Sequence, residues 1–408
     1  MGQSTFGWVD FAEADRRQMR DLIGLFRDSD TRDELGIGTI RDAFAEKLFP
    51  GTTTIQTRAR YFLFIPWIYL RRERMETRSV QIGDAVRSDE GTLIEALLKS
   101  ADQEGIIGRD AKDALKRFAS EVYWSGLYSW GIRLFSGSRT EYSARLDAYY
   151  HRRRAAIDAK DDDGQLPGRQ LIDNWHPAIP EAPPAFLNEA KLALTHGEAE
   201  FLQDRVLTLH PDSLLSFLLR QENLPKSGYV WEVPEVQALT GPLATWVKHA
   251  RNFSDLMYGA AILYNVILAE KSGSTELLDQ HRNKFAVWAS DRKMIEHLPD
   301  WDLGEMWGLF SGIGASTRRF VETWIRLCLE NNLEKLVDQR NARQLIAQRE
   351  LQVKGHQRAR IYSSRARELW SGHAADYRLD YRWQRPVQTM IRDIMKPLLV
   401  QRRVVENA

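Results

Sequence analysis

Apolar residues recur along most of this chain at three- and four-residue steps, the pattern of helices that bury one face. Asp10 is placed to cap a helix through Phe26, with Phe11, Met19, Leu22, Ile23 and Phe26 on its apolar side. Thr39 is placed to cap Ile40 to Phe49, which Pro50-Gly51 stops. Residues 57–76 read as a third helix, kinked or interrupted at Pro66. Shorter helices follow over Thr92 to Lys99 and Asp110 to Phe118, then Glu121 to Ile132 and Thr140 to Ile157. Between them Gly105-Ile-Ile-Gly108 is the one turn sharp enough for a helix-turn-helix. Sustained alternating runs of β-branched residues are missing, which argues against a sheet-based core.

From Asp158 to Ala185 the pattern lapses: Asp161-Asp-Asp-Gly164, Pro167, Pro177, Pro180, Pro183 and Pro184 cannot form a long helix. Beyond it Thr195-His-Gly-Glu198 has capping-box spacing, in which hydroxyl and carboxylate satisfy amide donors reciprocally. Pro211-Asp-Ser-Leu214 opens another helix, a long one is expected from Leu243 to Glu270, and residues 275–290, 316–331 and 333–353 follow. No fixed-period repeat is present. The expected fold is all-α, with two helical domains or lobes, 1–157 and 185–408, joined by a Pro/Asp-rich connection over 158–184.

Length and composition sharpen this. At 408 residues the chain suits two or three domains, and its 43% hydrophobic content supports a substantial core. A net charge of +1 means that contact with nucleic acid or membrane has to come from a local patch. The single Cys328, on an amphipathic helical pattern, excludes a disulfide framework, fits a reducing cytoplasm and reads as core. Met1 to Asp10 has no basic region leading into an apolar stretch, so no signal peptide is expected, and Phe6 spoils a myristoylation pattern. The longest uncharged run, Leu256 to Ala269, is short of the roughly twenty apolar residues a membrane helix needs and reads as a buried core helix. No membrane partner is expected, and the expected location is cytoplasmic. Arg outnumbers Lys by 43 to 14, which suits phosphate contacts and interface ion pairs but also follows from a GC-rich genome.

Recognisable enzyme chemistry is missing. The chain carries no GxxxxGK[ST], GxGxxG, HExxH, GxSxG or HxKxxxxD pattern, and its nine His are scattered singly. Neither a cofactor nor a metal site is indicated. Ser311-Gly-Ile-Gly-Ala-Ser-Thr-Arg-Arg319 resembles a phosphate loop opening a helix, making Ser316, Thr317, Arg318 and Arg319 a candidate anion site. Ordinary N-capping by Ser or Thr accounts for the same residues. Glu189-Ala-Lys191 has nuclease-like ExK spacing but lies in a helical stretch, and it is set aside. Glu34, Asp42 and Asp10 are the carboxylates from which a cryptic metal-dependent nuclease would be built.

The C-terminal part breaks the overall charge balance. Between Arg340 and Arg403 there are fifteen Lys/Arg against five Asp/Glu. On one continuous helix Arg349, Arg360 and Arg367 would form a stripe, with Lys354, Arg358 and Arg365 forming a second. Leu351, Tyr362, Ala366 and Leu369 would then make an apolar face between them, unless Gly355 breaks the helix. Tyr362, Trp370, Tyr377, Tyr381 and Trp383 are interleaved with the charges, and basic residues beside aromatics suit phosphate contact plus base stacking. The competing readings are a protein-partner interface, or Arg pairing internally with Asp376 and Asp380 and stacking on Trp383.

Two passages carry a resemblance. One is Asp33-Glu-Leu-Gly-Ile-Gly-Thr-Ile-Arg-Asp-Ala-Phe44, continued by Leu48-Phe-Pro-Gly-Thr-Thr-Thr-Ile-Gln-Thr-Arg-Ala-Arg-Tyr-Phe-Leu-Phe-Ile-Pro-Trp67. The other is Arg365-Ala-Arg-Glu-Leu-Trp-Ser-Gly372 leading to Tyr377-Arg-Leu-Asp-Tyr-Arg-Trp383. Together they resemble a bacterial domain-of-unknown-function family of about this length. That resemblance implies a setting beside helicases, phospholipase-D-like nucleases and methyltransferases of phage-defence or DNA-modification loci, without catalytic residues to carry over. The expectation is an accessory, non-enzymatic subunit of a bacterial anti-phage or DNA-handling system. It would contact DNA or other nucleic acid through Arg358, Arg360, Arg365, Arg367, Arg378, Arg382 and Arg385. The alternatives are a scaffold docking a helicase, nuclease or methyltransferase of the same system, and the cryptic nuclease.

Overall fold

Helical runs punctuated by glycine and proline become fifteen α-helices and no strand among the described residues of the computed structural model, namely 33–111, 115–158, 173–291, 301–375 and 377–406, with the side chains of 156–158 and 402–406 excepted. The fold is therefore predominantly all-α, and one isolated bridge joins Arg133 and Trp175. None of these helices is long and apolar enough to cross a membrane. Elements expected over Asp10–Phe26 and Asp161–Gly164 lie outside the described residues.

Several expected elements appear close to their predicted bounds. Thr195 caps His196–Leu209 through a complete capping box with Glu198, and the long helix runs Pro242–Ser272. Tyr61–Arg74 passes through Pro66 without a break, because its buried aromatic and aliphatic side chains outweigh one lost ladder bond. Other expectations need correction. Thr92–Lys99 is only the end of Ile82–Leu98, and Asp110–Phe118 is turn and bend where described. Gly105 and Gly108 take positive φ, but no described helix follows until Ala119. The expected helix over 333–353 is a 3-10 turn, Leu333–Val337, followed by Arg340–Lys354.

The chain forms two compact units, Met1–Ala43 with Lys248–Leu379, and Phe44–Val247 with Asp380–Ala408. Residues 44–157 and 185–247 thus share the second unit rather than parting at 158–184. The described end of that connection is tied in: Trp67 Nε1 donates to the Pro180 carbonyl at 2.7 Å, and Asn174 and Trp175 donate to buried Glu73. Also in this unit, Gln388–Glu406 packs on His196–Leu209 and Leu214–Leu219, with Arg58 clasping Asp393 at 2.8 Å.

In the first unit the uncharged stretch of Pro242–Ser272 is buried nearly all round, as expected of a central helix. Trp288 and Trp324 donate their indole N–H groups to the carbonyls of Asp255 and Leu256, both at 2.8 Å. Gly259 permits this approach, since a Cβ there would lie 2.1 Å from Trp288 Cζ2. Gly259→Ala is expected to destabilise the protein by about 1–3 kcal/mol through overpacking. That outweighs the ~1 kcal/mol alanine gains in a helix. Thermal unfolding decides it: an unchanged or higher Tm means the indole ring moves aside freely.

Candidate functional site

The most developed polar arrangement in the first unit grows from the end of Arg340–Lys354. Glu350 and Lys354 are four residues apart and share a helix face, while Arg349 points about 100° away. Gly355, at φ +71°, ends the helix directly after Lys354. The chain then doubles back, so that the amides of Arg360 and Ile361 reach the Glu350 carboxylate at 2.8 and 2.9 Å. Tyr264 of the central helix donates its hydroxyl to Glu350 at 2.5 Å. Glu34 completes the cluster, accepting from Arg360 Nη1 at 2.7 Å and from Lys354 Nζ.

Two carboxylates thus face two cations, with Glu34, Glu350 and Tyr264 all at most 1% exposed. Burial alone would lower the pKa of Arg360, but the Glu34 charge and hydrogen bond raise it. Burial, followed by the charges of Glu34 and Glu350, pushes the Tyr264 hydroxyl well above its ordinary range. All four carboxylate oxygens accept hydrogen bonds from groups within this unit. The adjoining cavity, bordered by Asp33, Glu34, Arg41, Tyr258 and Tyr377, is ≈ 30 Å³. That is room for about two waters. The cluster is built to hold structure in place.

Arg349 does related work with other partners. Its buried guanidinium donates to the carbonyls of Leu35 and Gly36, both at 2.8 Å, and lies over the Phe320 ring. Burial lowers its pKa, and Asp33 partly opposes this. The Ser316 and Thr317 hydroxyls of the candidate anion site accept from this same guanidinium. Arg318 pairs with Glu322 and lies over Trp307, and Arg319 is exposed. The helix they open, Ala315–Glu330, has Gly314 at its N-cap without a side-chain cap. Of the three carboxylates considered for metal, Glu34 is in the cluster, Asp42 is exposed beside Arg41, and Asp10 lies outside the described residues. No group of three or more His, Cys, Asp or Glu able to hold a metal occurs among the described residues.

The continuous two-stripe helix does not form, because Gly355 breaks it. Arg349 is buried, Leu369 is 80% exposed and Tyr362 is 50% exposed, so the apolar face joining them is not assembled either. Of the seven arginines singled out, Arg358, Arg365 and Arg385 are exposed. Arg358 Nε also donates to the Lys354 carbonyl at 3.2 Å, and the other four have partners within the fold. Arg360 pairs with Glu34, and Arg367 donates to the carbonyls of Arg360 and Ile361. Arg378 pairs with Asp255 and Asp291 over the Tyr258 ring, and Arg382 donates to the Thr52 carbonyl. Arg382 and Arg385 belong to the second unit and the other five to the first. Asp380 accepts backbone amides of Arg382 and Gln384, Asp376 lies outside the described residues, and Trp383 is buried against Phe49.

Of the first unit's singled-out residues, Arg358 and Tyr362 are exposed on the loop after Gly355, and Arg365 is exposed on the short helix Ser364–Glu368 that follows it. Exposed His356 meets the Tyr362 ring edge-on at 6.3 Å. Glu350 and Tyr264 were not foreseen as site residues; the one local signal was the Glu350–Lys354 pair directly before Gly355.

A model described as a family of unknown function (DUF6361) matches residues 3–390. No curated protein and no solved structure matches the chain.

Proposed function

The chain belongs to this family of unknown function, and we propose that it is a cytoplasmic, non-enzymatic subunit that contacts nucleic acid through the loop after Gly355. The bacterial anti-phage or DNA-handling setting comes from the resemblance of its motif passages and is part of the proposal. One observation carries the reading: two exposed arginines, Arg358 and Arg365, bracket an exposed Tyr362 on a loop. Guanidinium groups neutralise phosphates, and a tyrosine ring stacks on any base whose face is accessible. Unstacked bases of a single strand meet that requirement better than a duplex does.

The test is binding of labelled single-stranded and duplex DNA across a salt series. Wild type is expected to prefer the single strand, with affinity falling linearly in log salt. Replacing Arg358 and Arg365 with Ala is expected to flatten that slope by about 1.4, from two lost phosphate contacts at about 0.7 each. Tyr362→Ala is expected to cost roughly tenfold in affinity with little change in slope. An unchanged slope in the double variant sinks the proposal.

In the scaffold reading Leu369, 80% exposed four residues beyond Arg365, would be a contact for a protein partner. A partner helicase, nuclease or methyltransferase that is retained after nuclease treatment and lost with Leu369→Asp favours that reading.

A further inference from the structure

We infer that Glu350 is a positioning residue for the exposed basic loop, an inference that rests on the nucleic-acid reading above. Residues 360 and 361 are gripped on both sides of the backbone. On the amide side, Glu350 Oε1 takes the Arg360 N–H at 2.8 Å and Oε2 takes the Ile361 N–H at 2.9 Å. On the carbonyl side, Arg367 Nη1 donates to the Arg360 and Ile361 oxygens at 2.8 and 3.4 Å. Arg358 lies two residues before this braced dipeptide, and Tyr362 directly follows it.

The brace fixes the stretch that presents both side chains. Glu350 is itself fixed: it is fully buried, it sits on a helix, and Tyr264 and Lys354 hold its Oε1 from the other side. A bidentate carboxylate is required, because two amides approach two different oxygens. An amide side chain of the same shape offers one acceptor and one donor, so one backbone N–H loses its partner. A loop held in its binding geometry before contact avoids the ordering entropy that a loose one loses on binding.

Two charge-balanced double variants separate positioning from general stability. Glu350→Gln with Lys354→Met breaks the clasp and leaves the Glu34–Arg360 pair. Glu34→Gln with Lys354→Met keeps the clasp and leaves an amide oxygen at position 34 to accept from Arg360 Nη1. Each removes one buried acid and one buried base. The first is expected to weaken single-strand binding about tenfold. It is also expected to lose deuterium-exchange protection in the 355–363 peptide. The second loses the Lys354 hold on Glu350 Oε1 but keeps both amide bonds, so it should lose much less affinity and protection than the first.

Arg367→Lys serves as a variant that folds in any case, since Arg367 is partly exposed and its charge is kept. It loses the guanidinium Nη1 that donates to both carbonyls from a fixed planar geometry, and it is expected to weaken binding about threefold at an unchanged salt slope. Equal affinity in wild type and both doubles, or equal losses in the two doubles, overturns the positioning role. If wild type itself does not bind DNA, the nucleic-acid reading fails; the exchange comparison then still reports on the clasp alone.

Discussion

Lys354→Met is expected to destabilise the protein by about 3–5 kcal/mol, the cost of removing one partner from a buried ionic arrangement. For a domain of this size that corresponds to a fall of about 10 °C in Tm. The reasoning follows from the charges: Lys354 and Arg360 balance Glu34 and Glu350, and none of the four side chains is more than 13% exposed. Without Lys354, Arg360 still pairs with Glu34 while Glu350 loses its cation, and Tyr264 has only one proton to donate. Glu34→Gln with Lys354→Met removes an acid together with a base, and it is expected to recover most of the loss, because neutral replacement of a buried pair is often tolerated. A single variant as stable as wild type shows that water reaches these carboxylates freely. A double variant no more stable than the single shows that packing by the Lys354 stem, rather than charge balance, is what matters there.

The same cluster shows which features were legible before the structure. The core helix was readable from the uncharged run Leu256 to Ala269, and the start of His196–Leu209 from Thr195 and Glu198, because both signals lie within a few residues. Gly355 was visible as a possible break for the same reason. The meaning of the C-terminal charge excess was not readable, because the compensating acids come from elsewhere in the sequence. Arg360 finds Glu34 at a separation of 326 residues, and Arg378 finds Asp255 and Asp291 from earlier in the chain. A local excess of arginine therefore overstates the free positive surface. Sequence distance gave no means of telling Arg360, which is neutralised inside, from Arg358 and Arg365, which are exposed.

In the second unit Glu90→Gln is expected to abolish a stability difference of up to about 3 kcal/mol between pH 5 and pH 8. Buried Glu90 caps Ala119–Ser129 across space: it accepts the Ser120 amide at 2.7 Å and the Ser120 hydroxyl at 2.9 Å. Arg139 does not pair with it directly, reaching Ser120 Oγ and Glu121 instead. Burial therefore prevails over the Ser120 hydrogen bonds and the Arg139 charge, and the Glu90 carboxyl is pushed up from 4.5 to about 7. Between those two values the folded protein holds a proton that the unfolded chain has released, so stability falls as pH rises through them. The contribution is fully present below about pH 4.5 and gone above about pH 7. Gln carries the neutral form at every pH, so the variant should match wild type near pH 5 and exceed it at pH 8. Chemical unfolding of both proteins at the two pH values measures the difference while cancelling every other titrating group. Curves that stay parallel show that Glu90 is ionised throughout, with the Ser120 donors and Arg139 then outweighing its burial.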